Sequence, residues 1–207
     1  MANTEHKGLQ VIVAEHAGFC WGVKRAVTLS RDAARHAPKP VHTYGPLIHN
    51  RSVISKLEQE GVRALPESPQ ALPAPGATVI IRAHGIPPRD EQALRDAGLL
   101  LIDGTCPHVV RIQHSAAHAH AAGRTVVIIG DRDHAEIKGL LGYCAGRAFV
   151  VHSAEDVATL PAAAPLTVLA QSTLDETTFE TITALIRARC PDAEVIDTRC
   201  AATARTQ

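Results

Sequence analysis

Apolar residues occur along this chain in two alternating patterns. Short runs of valine, isoleucine and leucine are typical of strands, and several of the stretches between them have the composition and periodicity of helices. The predicted strands span residues 10–14, 78–81, 99–102, 125–129, 148–151, 167–170 and 194–196. The predicted helices span residues 23–37, 89–97, 109–122 and 176–189, with Gly98 and Gly123 where helix C-caps belong. This alternation predicts an α/β fold with mostly parallel sheets.

One strand-to-helix unit occurs twice with the same layout. In LLLIDGTCPHVV and AEVIDTRCAATA, an apolar strand is followed by an aspartate, two residues, a cysteine and a helix start. The segment VIVAEHAGFCWGVKRAV repeats the layout more loosely around Cys20. We therefore expect pseudo-symmetric α/β domains: a first over residues 9–105, a second over 106–198, and the start of a third over 199–207.

Composition and charge exclude several functional classes. The chain has 207 residues, is 45% hydrophobic, and has 21 basic and 21 acidic residues. A net charge of zero gives no general attraction to nucleic acid, and no apolar run approaches the roughly 18 residues of a membrane span. The first ten residues are polar and lack the apolar segment of a secretion signal. We expect a cytoplasmic monomer or homodimer without nucleic-acid or membrane partners.

The five cysteines argue against a disulfide framework, because their number is odd and the chain shows no secretion signal. No C-x-x-C pair occurs, which excludes a zinc ribbon or a local ferredoxin-type motif, so any shared cysteine site is assembled from distant parts of the chain. Cys20, Cys106 and Cys200 stand at predicted helix starts, where free N–H groups and the helix dipole stabilise a thiolate. Three converging thiolates form a soft-metal site, either an iron–sulfur cubane with one iron left free or a Cys₃ zinc site. Cys144 and Cys190 lack this layout and are predicted to be structural.

Polar residues follow the other strands, at the carboxyl ends where α/β sheets bind ligands. They are His49, His84, His134, Glu136, Gln171, Ser172 and Thr173. Imidazoles and hydroxyls of this kind hold a diphosphate through hydrogen bonds. A carboxyl group in a closed site has a raised pKa, so the glutamate is predicted to deliver a proton. Three other histidines share a predicted helix face that we expect to be solvated: His114, His118 and His120.

Seven motifs occur in the order that is found in one enzyme family. They are GFCWGVKRAV, YGPLIHN, RAHG, DGTCP, HAEIKG, AQSTL and DTRCAAT. In order and spacing they resemble the LytB/IspH family of 4-hydroxy-3-methylbut-2-enyl diphosphate reductases, from about Leu9 to Thr203. These enzymes catalyse the last step of the non-mevalonate isoprenoid pathway.

The resemblance implies three α/β domains around a [4Fe-4S] cluster held by Cys20, Cys106 and Cys200. The remaining iron binds the allylic hydroxyl of the substrate. Two electrons and protons remove that hydroxyl as water, which gives isopentenyl and dimethylallyl diphosphate. The family implies ferredoxin or flavodoxin as the electron donor.

The resemblance also implies roles for the residues around the substrate. The two diphosphate-binding histidines of the family match His49 and His84. The histidine and the proton-relay glutamate of its H-P-E motif match His134 and Glu136, and its threonine that organises the substrate hydroxyl matches Ser172.

The chain departs from the family pattern in three respects. Ala135 replaces a proline, and a serine replaces the threonine at position 172. The segment from residue 199 onward is too short for the third domain, so we expect that domain, with its Ser-x-Asn motif, to be missing. The alternative function is therefore a truncated, non-catalytic paralogue that binds a cluster or metal.

Overall fold

The computed structural model describes residues 3–6, 9–12, 18–68, 71–161 and 164–204. Within these ranges, two four-stranded parallel sheets with flanking helices form an α/β structure, which confirms the predicted fold class. A short antiparallel pair, β1 (Asn3–His6) and β2 (Leu9–Ile12), comes before them in the chain.

The first sheet lies in the N-terminal half of the chain. Its strands are β3 (Val41–Tyr44), β4 (Val62–Leu65), β5 (Thr78–Ile81) and β6 (Leu100–Asp103). They lie side by side in the order β4-β3-β5-β6, and all three pairings are parallel. The accompanying helices are α1 (Trp21–His36), α2 (Arg51–Gln59) and α3 (Pro88–Asp96).

The second sheet lies in the C-terminal half. Its strands are β7 (Thr125–Ile129), β8 (Phe149–Val151), β9 (Leu166–Ala170) and β10 (Glu194–Val195). They lie in the order β10-β9-β7-β8, again with parallel pairings. The helices are α4 (Pro107–Ala121), α5 (Ala135–Tyr143), α6 (Ala154–Ala158), α7 (Glu176–Arg189) and the short α8 (Ala201–Ala204).

The two sheets share one strand topology. Numbered by their position in the chain, the four strands of each sheet lie in the spatial order 2-1-3-4. Connections leave the first and third strands toward opposite sides, which opens a crevice at the carboxyl ends of these two neighbouring strands. Ligands of open α/β sheets bind in such crevices. In each sheet the fourth strand leads directly into a repeated cysteine turn.

Burial on both faces explains why the central strands are continuous apolar runs. Every residue of β5 and β9 is buried. On one face of the first sheet Ile80 packs with Ala26 of α1, and on the other Ile81 packs with Leu94 of α3. Parallel sheets covered by helices on both faces have this pattern.

Several predicted elements are confirmed at both ends, namely β5, β7 and α7. Helices α1 and α4 begin two residues earlier than predicted, because Cys20 and Cys106 themselves are the N-caps. The pattern of apolar runs misses β1, β3, β4, α2, α5 and α6. These elements are short, and β3 and β4 also carry polar residues among their apolar ones.

Two further outcomes concern the predicted boundaries. Of the predicted strand 10–14, residues 13 and 14 lie outside the described residues. Each sheet lies inside one of the predicted domain ranges, whereas the limits of those ranges remain a prediction. In the part of the chain that the structure describes, no helix has the length and apolarity needed to cross a membrane.

Candidate functional site

The predicted substrate residues lie at the carboxyl ends of the strands that border the two crevices. His49 and His84 follow β3 and β5, the first and third strands of the first sheet. His134 and Glu136 follow β7, and Ser172 follows β9, at the equivalent places of the second sheet. Four loops with equivalent topological positions therefore supply all five side chains.

The three histidines, His49, His84 and His134, form one cluster. The ring centroid of His84 lies 4.7 Å from that of His49 and 5.3 Å from that of His134, and the third distance is 5.5 Å. One nitrogen of each ring lies within 4.8 Å of the corresponding nitrogens of the other two. Nδ1 of His84 is buried without a hydrogen-bond partner among the described residues. Such a nitrogen costs stability unless a ligand or water completes it.

Burial favours the neutral form of two of these rings. It lowers the pKa of His84 to about 3, and the nearby His49, His134 and Arg82 act in the same direction. Burial also lowers the pKa of His134, where His49 adds to the effect and Asp131 opposes it. At neutral pH each of the two rings therefore has one N–H donor and one lone pair.

A backbone contact decides which nitrogen of His134 carries the proton. This residue is the N-cap of α5, and its Nδ1 accepts the backbone N–H of Glu136 at 3.2 Å. Because an accepting Nδ1 has no proton, the neutral ring carries its proton on Nε2. Nε2 is therefore a donor, which suits the oxygen of an anion better than a metal ion. The helix begins at Ala135 without a proline at its first position.

Glu136 is a buried carboxyl group held by Ser172. Only 1% of this glutamate is exposed. Ser172 donates its backbone N–H to Oε1 at 2.7 Å and its hydroxyl to Oε2 at 2.5 Å. Burial raises the pKa of Glu136, while the hydrogen bonds from Ser172 and the electrostatic effect of the nearby His108 oppose that rise. The net effect is a carboxyl that holds its proton more tightly than an exposed one.

Cys20 and Cys106 are the N-caps of α1 and α4, as predicted. Their helices adjoin at Gly22, in the first turn of α1: a Cβ at this glycine would lie 2.6 Å from Sγ of Cys106. Arg25 of the same helix donates to the backbone carbonyl of Asp103 at 3.0 Å. These contacts bring the first two predicted cluster ligands to neighbouring helix starts.

The backbone of Cys200 is tied to the loop that carries Ser172. The N–H of Cys200 donates to the carbonyl oxygen of Ser172 at 2.7 Å. In the same way the N–H of Cys106 donates to the carbonyl oxygen of Ala83, directly before His84, at 2.9 Å. Each cysteine is therefore anchored to one of the loops that carry the polar side chains.

Among the described residues, the three histidines form a group whose nitrogens lie close enough to surround one ion, and the three cysteines do not belong to that group. The cysteines and the histidines are therefore separate sets of potential ligands.

Other candidate residues serve the fold. Nε2 of Gln171 donates to the hydroxyl of Thr173 at 2.9 Å, and Oε1 of Gln171 accepts the N–H of Asp131 at 3.0 Å, so this pair orders loops. Cys144 and Cys190 are buried in the two cores of the second sheet, as predicted. On α4, His114 and His118 are exposed, in agreement with a solvated face, and His120 is half-buried.

Sequence reasoning misses two residues that support the site. His108 contacts the carbonyl oxygen of Thr198 through Nε2 at 2.8 Å. The hydroxyl of Thr198 bridges the backbone N–H and carbonyl of Ala170 at 2.7 and 2.6 Å. The available signal is position, because each of these side chains stands two residues from a predicted cluster ligand, Cys106 or Cys200.

The chain is similar to proteins of one family. The family model described as LytB protein matches residues 11–207. A 4-hydroxy-3-methylbut-2-enyl diphosphate reductase of Aquifex aeolicus (strain VF5) is 39% identical over 202 residues, which cover 96% of this chain and 69% of that protein. The enzyme of the same name from Opitutus terrae is 37% identical over 203 residues, covering 94% and 70% of the two chains.

Solved structures give the same result. A structure of (E)-4-hydroxy-3-methyl-but-2-enyl diphosphate reductase, described as the terminal enzyme of the non-mevalonate pathway, superposes with a TM-score of 0.83 at 38% identity, covering 94% of this chain and 69% of that one. The Plasmodium falciparum E-1-hydroxy-2-methyl-but-2-enyl-4-diphosphate reductase superposes with a TM-score of 0.86 at 27% identity, covering 92% and 60%. The chain therefore belongs to the LytB protein family.

Proposed function

We propose that this protein converts 4-hydroxy-3-methylbut-2-enyl diphosphate to isopentenyl and dimethylallyl diphosphate by two-electron reductive dehydroxylation. The observation that carries the proposal is that three histidines meet next to the Glu136–Ser172 pair, while Cys106 and Cys200 are bonded to the loops that carry His84 and Ser172. This combination supplies an anion site, a held proton and thiolates in one place. Its electron donor is proposed to be a ferredoxin or a flavodoxin.

The histidine cluster supports a diphosphate rather than a bound metal ion. A metal ion needs a lone pair from each ring, but the free Nε2 of His134 carries a proton in the tautomer that the Glu136 N–H selects. An N–H donor suits a phosphate oxygen. The buried, unpaired nitrogen of His84 offers a further hydrogen-bonding position in the same cluster. We propose His49, His84 and His134 as the groups that bind and orient the diphosphate.

Cys20, Cys106 and Cys200 are the groups that would hold a [4Fe-4S] cluster. Soft thiolate donors select iron–sulfur clusters, in which each of the three thiolates would bind a different iron atom. When bound, the cluster supplies the electrons of the reaction and an iron atom with a free coordination position. Because Cys106 and Cys200 are bonded to the loops that carry His84 and Ser172, a cluster held by them would lie beside the proposed substrate site.

Glu136 is the proposed store of the proton. Burial favours its protonated form, and both of its hydrogen bonds go to Ser172. Because only 1% of the glutamate and 8% of the serine are exposed, a proton that leaves the carboxyl passes through the hydroxyl of Ser172. We propose that the protonated Oε2 donates to Oγ of Ser172 while the serine gives its own hydroxyl proton to the leaving hydroxyl of the substrate. The C–O bond of the substrate breaks, the hydroxyl departs as water, and the external electron donor supplies the two electrons. A serine supplies the same O–H group as the family's threonine.

The test begins with protein purified without oxygen. We expect about four iron and four sulfide per chain, and turnover of the substrate with a chemical reductant. Replacement of Cys200 by Ala should remove most of the iron, whereas the matched change Cys190→Ala, at a buried structural position, should leave it bound. Replacement of Glu136 by Gln should leave the iron in place and lower turnover by about a hundredfold or more. Glu155→Gln, an exposed control, should do neither.

Two other outcomes contradict the proposal in different ways. A full complement of iron without turnover would identify a non-catalytic cluster-binding paralogue. Absence of iron, or iron that is indifferent to Cys200→Ala, would show that the three cysteines hold no cluster.

A further inference from the structure

His108 is the second residue of α4 and stands two residues after Cys106. Its ring is held at both nitrogens: a guanidinium N–H of Arg111 lies 2.9 Å from Nδ1, and Nε2 lies 2.8 Å from the carbonyl oxygen of Thr198. The guanidinium has only donors, so Nδ1 accepts and the ring proton of the neutral form is on Nε2. Arg111 therefore selects the tautomer in which His108 donates to Thr198.

The acceptor of this bond belongs to the turn that carries Cys200. Thr198 lies two residues before that cysteine and 90 residues away from His108 in the chain. Its side chain holds the turn to β9, through the two bonds with the backbone of Ala170. The bond from His108 therefore joins the helix that starts at Cys106 to the turn that ends at Cys200.

We propose that His108 is a positioning residue that fixes Cys200 relative to Cys106. This proposal rests on the proposed function, because Cys106 and Cys200 are two of the proposed cluster ligands and the bond from His108 sets the distance between them. Pro107, directly before His108, takes the first position of the 15-residue helix α4 and fixes its start. The hydrogen bond from His108 therefore ties the turn that carries Cys200 to a long helix whose start is fixed.

The experiment compares alkylation rates of single cysteines in the full chain without a cluster, read by mass spectrometry of peptides. In His108→Leu we expect Cys200 to react about tenfold faster, and Cys20 and Cys106 to react at their wild-type rates. His108→Gln should bring the rate at Cys200 most of the way back, because the amide N–H of glutamine takes the place of Nε2–H. His114→Leu makes the same change on the exposed face of α4 and should leave all rates unchanged.

A second variant leaves the His108 ring in place and removes its partner at Nδ1. Arg111→Leu removes the donor that selects the tautomer, so the ring is expected to divide between two tautomers. The rate at Cys200 should then lie between those of wild type and His108→Leu. The proposal is overturned by an unchanged rate at Cys200 in His108→Leu, and equally by a matching rise at Cys106, which would mean that all of α4 has loosened.

Iron retention separates this proposal from the proposed function. Protein loaded without oxygen should lose iron to a chelator several-fold faster in His108→Leu than in wild type or His108→Gln. Wild type that binds no iron contradicts the proposed function, while the alkylation rates still decide the role of His108. Wild type that binds iron, with equal alkylation of Cys200 in all variants, contradicts the role of His108 and leaves the proposed function standing.

Discussion

The two cysteine turns, D-G-T-C before α4 and D-T-R-C before α8, share one backbone design. In the first, Oδ1 of Asp103 accepts the N–H of Thr105 at 2.8 Å. In the second, Oδ1 of Asp197 accepts the N–H of Arg199 at 3.0 Å. Each cysteine N–H then donates to a carbonyl in the loop after the third strand of its sheet. The repeated sequence therefore produces a repeated turn.

The turns differ at the residue after the aspartate. The N–H of Gly104 donates to the carbonyl of Ile81 at 3.0 Å, and a Cβ at this glycine would collide with that same oxygen. In the second turn Thr198 occupies the equivalent place, and its hydroxyl makes the bonds to Ala170. The backbone of the first turn thus contacts the end of its neighbouring strand directly, whereas the second turn contacts the end of β9 through the side chain of Thr198.

This difference shows that one turn can be anchored in two ways. Both turns share the bond from the cysteine N–H to a backbone carbonyl, and the first adds the backbone bond of Gly104 and the bonds from the side chain of Arg25. The second has no equivalent of the Gly104 bond among the described contacts and relies on more side chains, namely Thr198, His108 and also Arg199, whose guanidinium lies 4.3 Å from the ring centroid of Phe179. Side-chain anchors are lost by single substitutions, so we expect the second turn to be the more sensitive to mutation.

The largest expected effect comes from a substitution in α1 that disturbs its contact with Cys106 in the first turn. In Gly22→Ala the new Cβ would lie 2.6 Å from Sγ and 3.2 Å from Cβ of Cys106, so the Cys106 side chain must turn away or α1 must shift. We expect the free energy of unfolding to fall by up to about 3 kcal/mol despite the better helix propensity of alanine, as for other overpacked sites. Urea denaturation measures the loss, with Thr28→Ala on the exposed face of α1 as the control. An unchanged midpoint would show that the Cys106 side chain moves aside without cost and that Gly22 is not a tight contact.

The next effect breaks the second turn at its side-chain anchor. Thr198→Val removes the hydroxyl and leaves the buried N–H and carbonyl of Ala170 without that partner. We expect a loss of about 2 kcal/mol in the free energy of unfolding. Thr198→Ser keeps the hydroxyl and should lose less than half as much. If both variants lost the same amount, the methyl group rather than the hydroxyl would be the anchor.

A pH measurement tests the loop that carries His84, to which the N–H of Cys106 is bonded at Ala83. The pKa of His84 is about 3 in the folded protein and near the ordinary 6.5 when unfolded. Between these values only the unfolded state binds the proton, so stability falls as the pH falls below 6.5. From pH 6.5 to pH 5 we expect wild type to lose about 1–2 kcal/mol more than His84→Gln.

The control for the pH measurement is His36→Gln, at an exposed position of α1. Its stability should follow the wild-type pH profile. Parallel profiles for wild type and His84→Gln would contradict the buried, neutral state of His84.

The smallest effect makes the second turn more like the first. Pro107 takes the first helical position of α4, where proline is favoured, and Ala201 takes that place in α8. We expect Ala201→Pro to raise the free energy of unfolding by about 0.5 kcal/mol, and Pro107→Ala to lower it by a similar amount, chiefly through the unfolded chain. Thermal melts of both variants provide the measurement. A loss of stability in Ala201→Pro would mean that the two turns differ at the helix start as well.

The sequence by itself determined the features that depend on residues close together in the chain. An aspartate that accepts the N–H two residues on, a cysteine at a helix start and a buried apolar strand each involve only a few neighbouring residues. For this reason β5, β7, α7 and the N-cap positions of Cys20 and Cys106 agree with prediction. The same reasoning selects the polar loops, because a side chain directly after a buried strand lies at the edge of the sheet.

Only the tertiary structure decided how these pieces meet. His49, His84 and His134 come from three separate loops, and nothing local to any of them fixes the distance between their rings. The contact of Gly22 with Cys106 and the bond from His108 to Thr198 join segments far apart in the chain. Such contacts depend on how helices and sheets pack, and packing is set by the summed burial of many side chains rather than by any short motif.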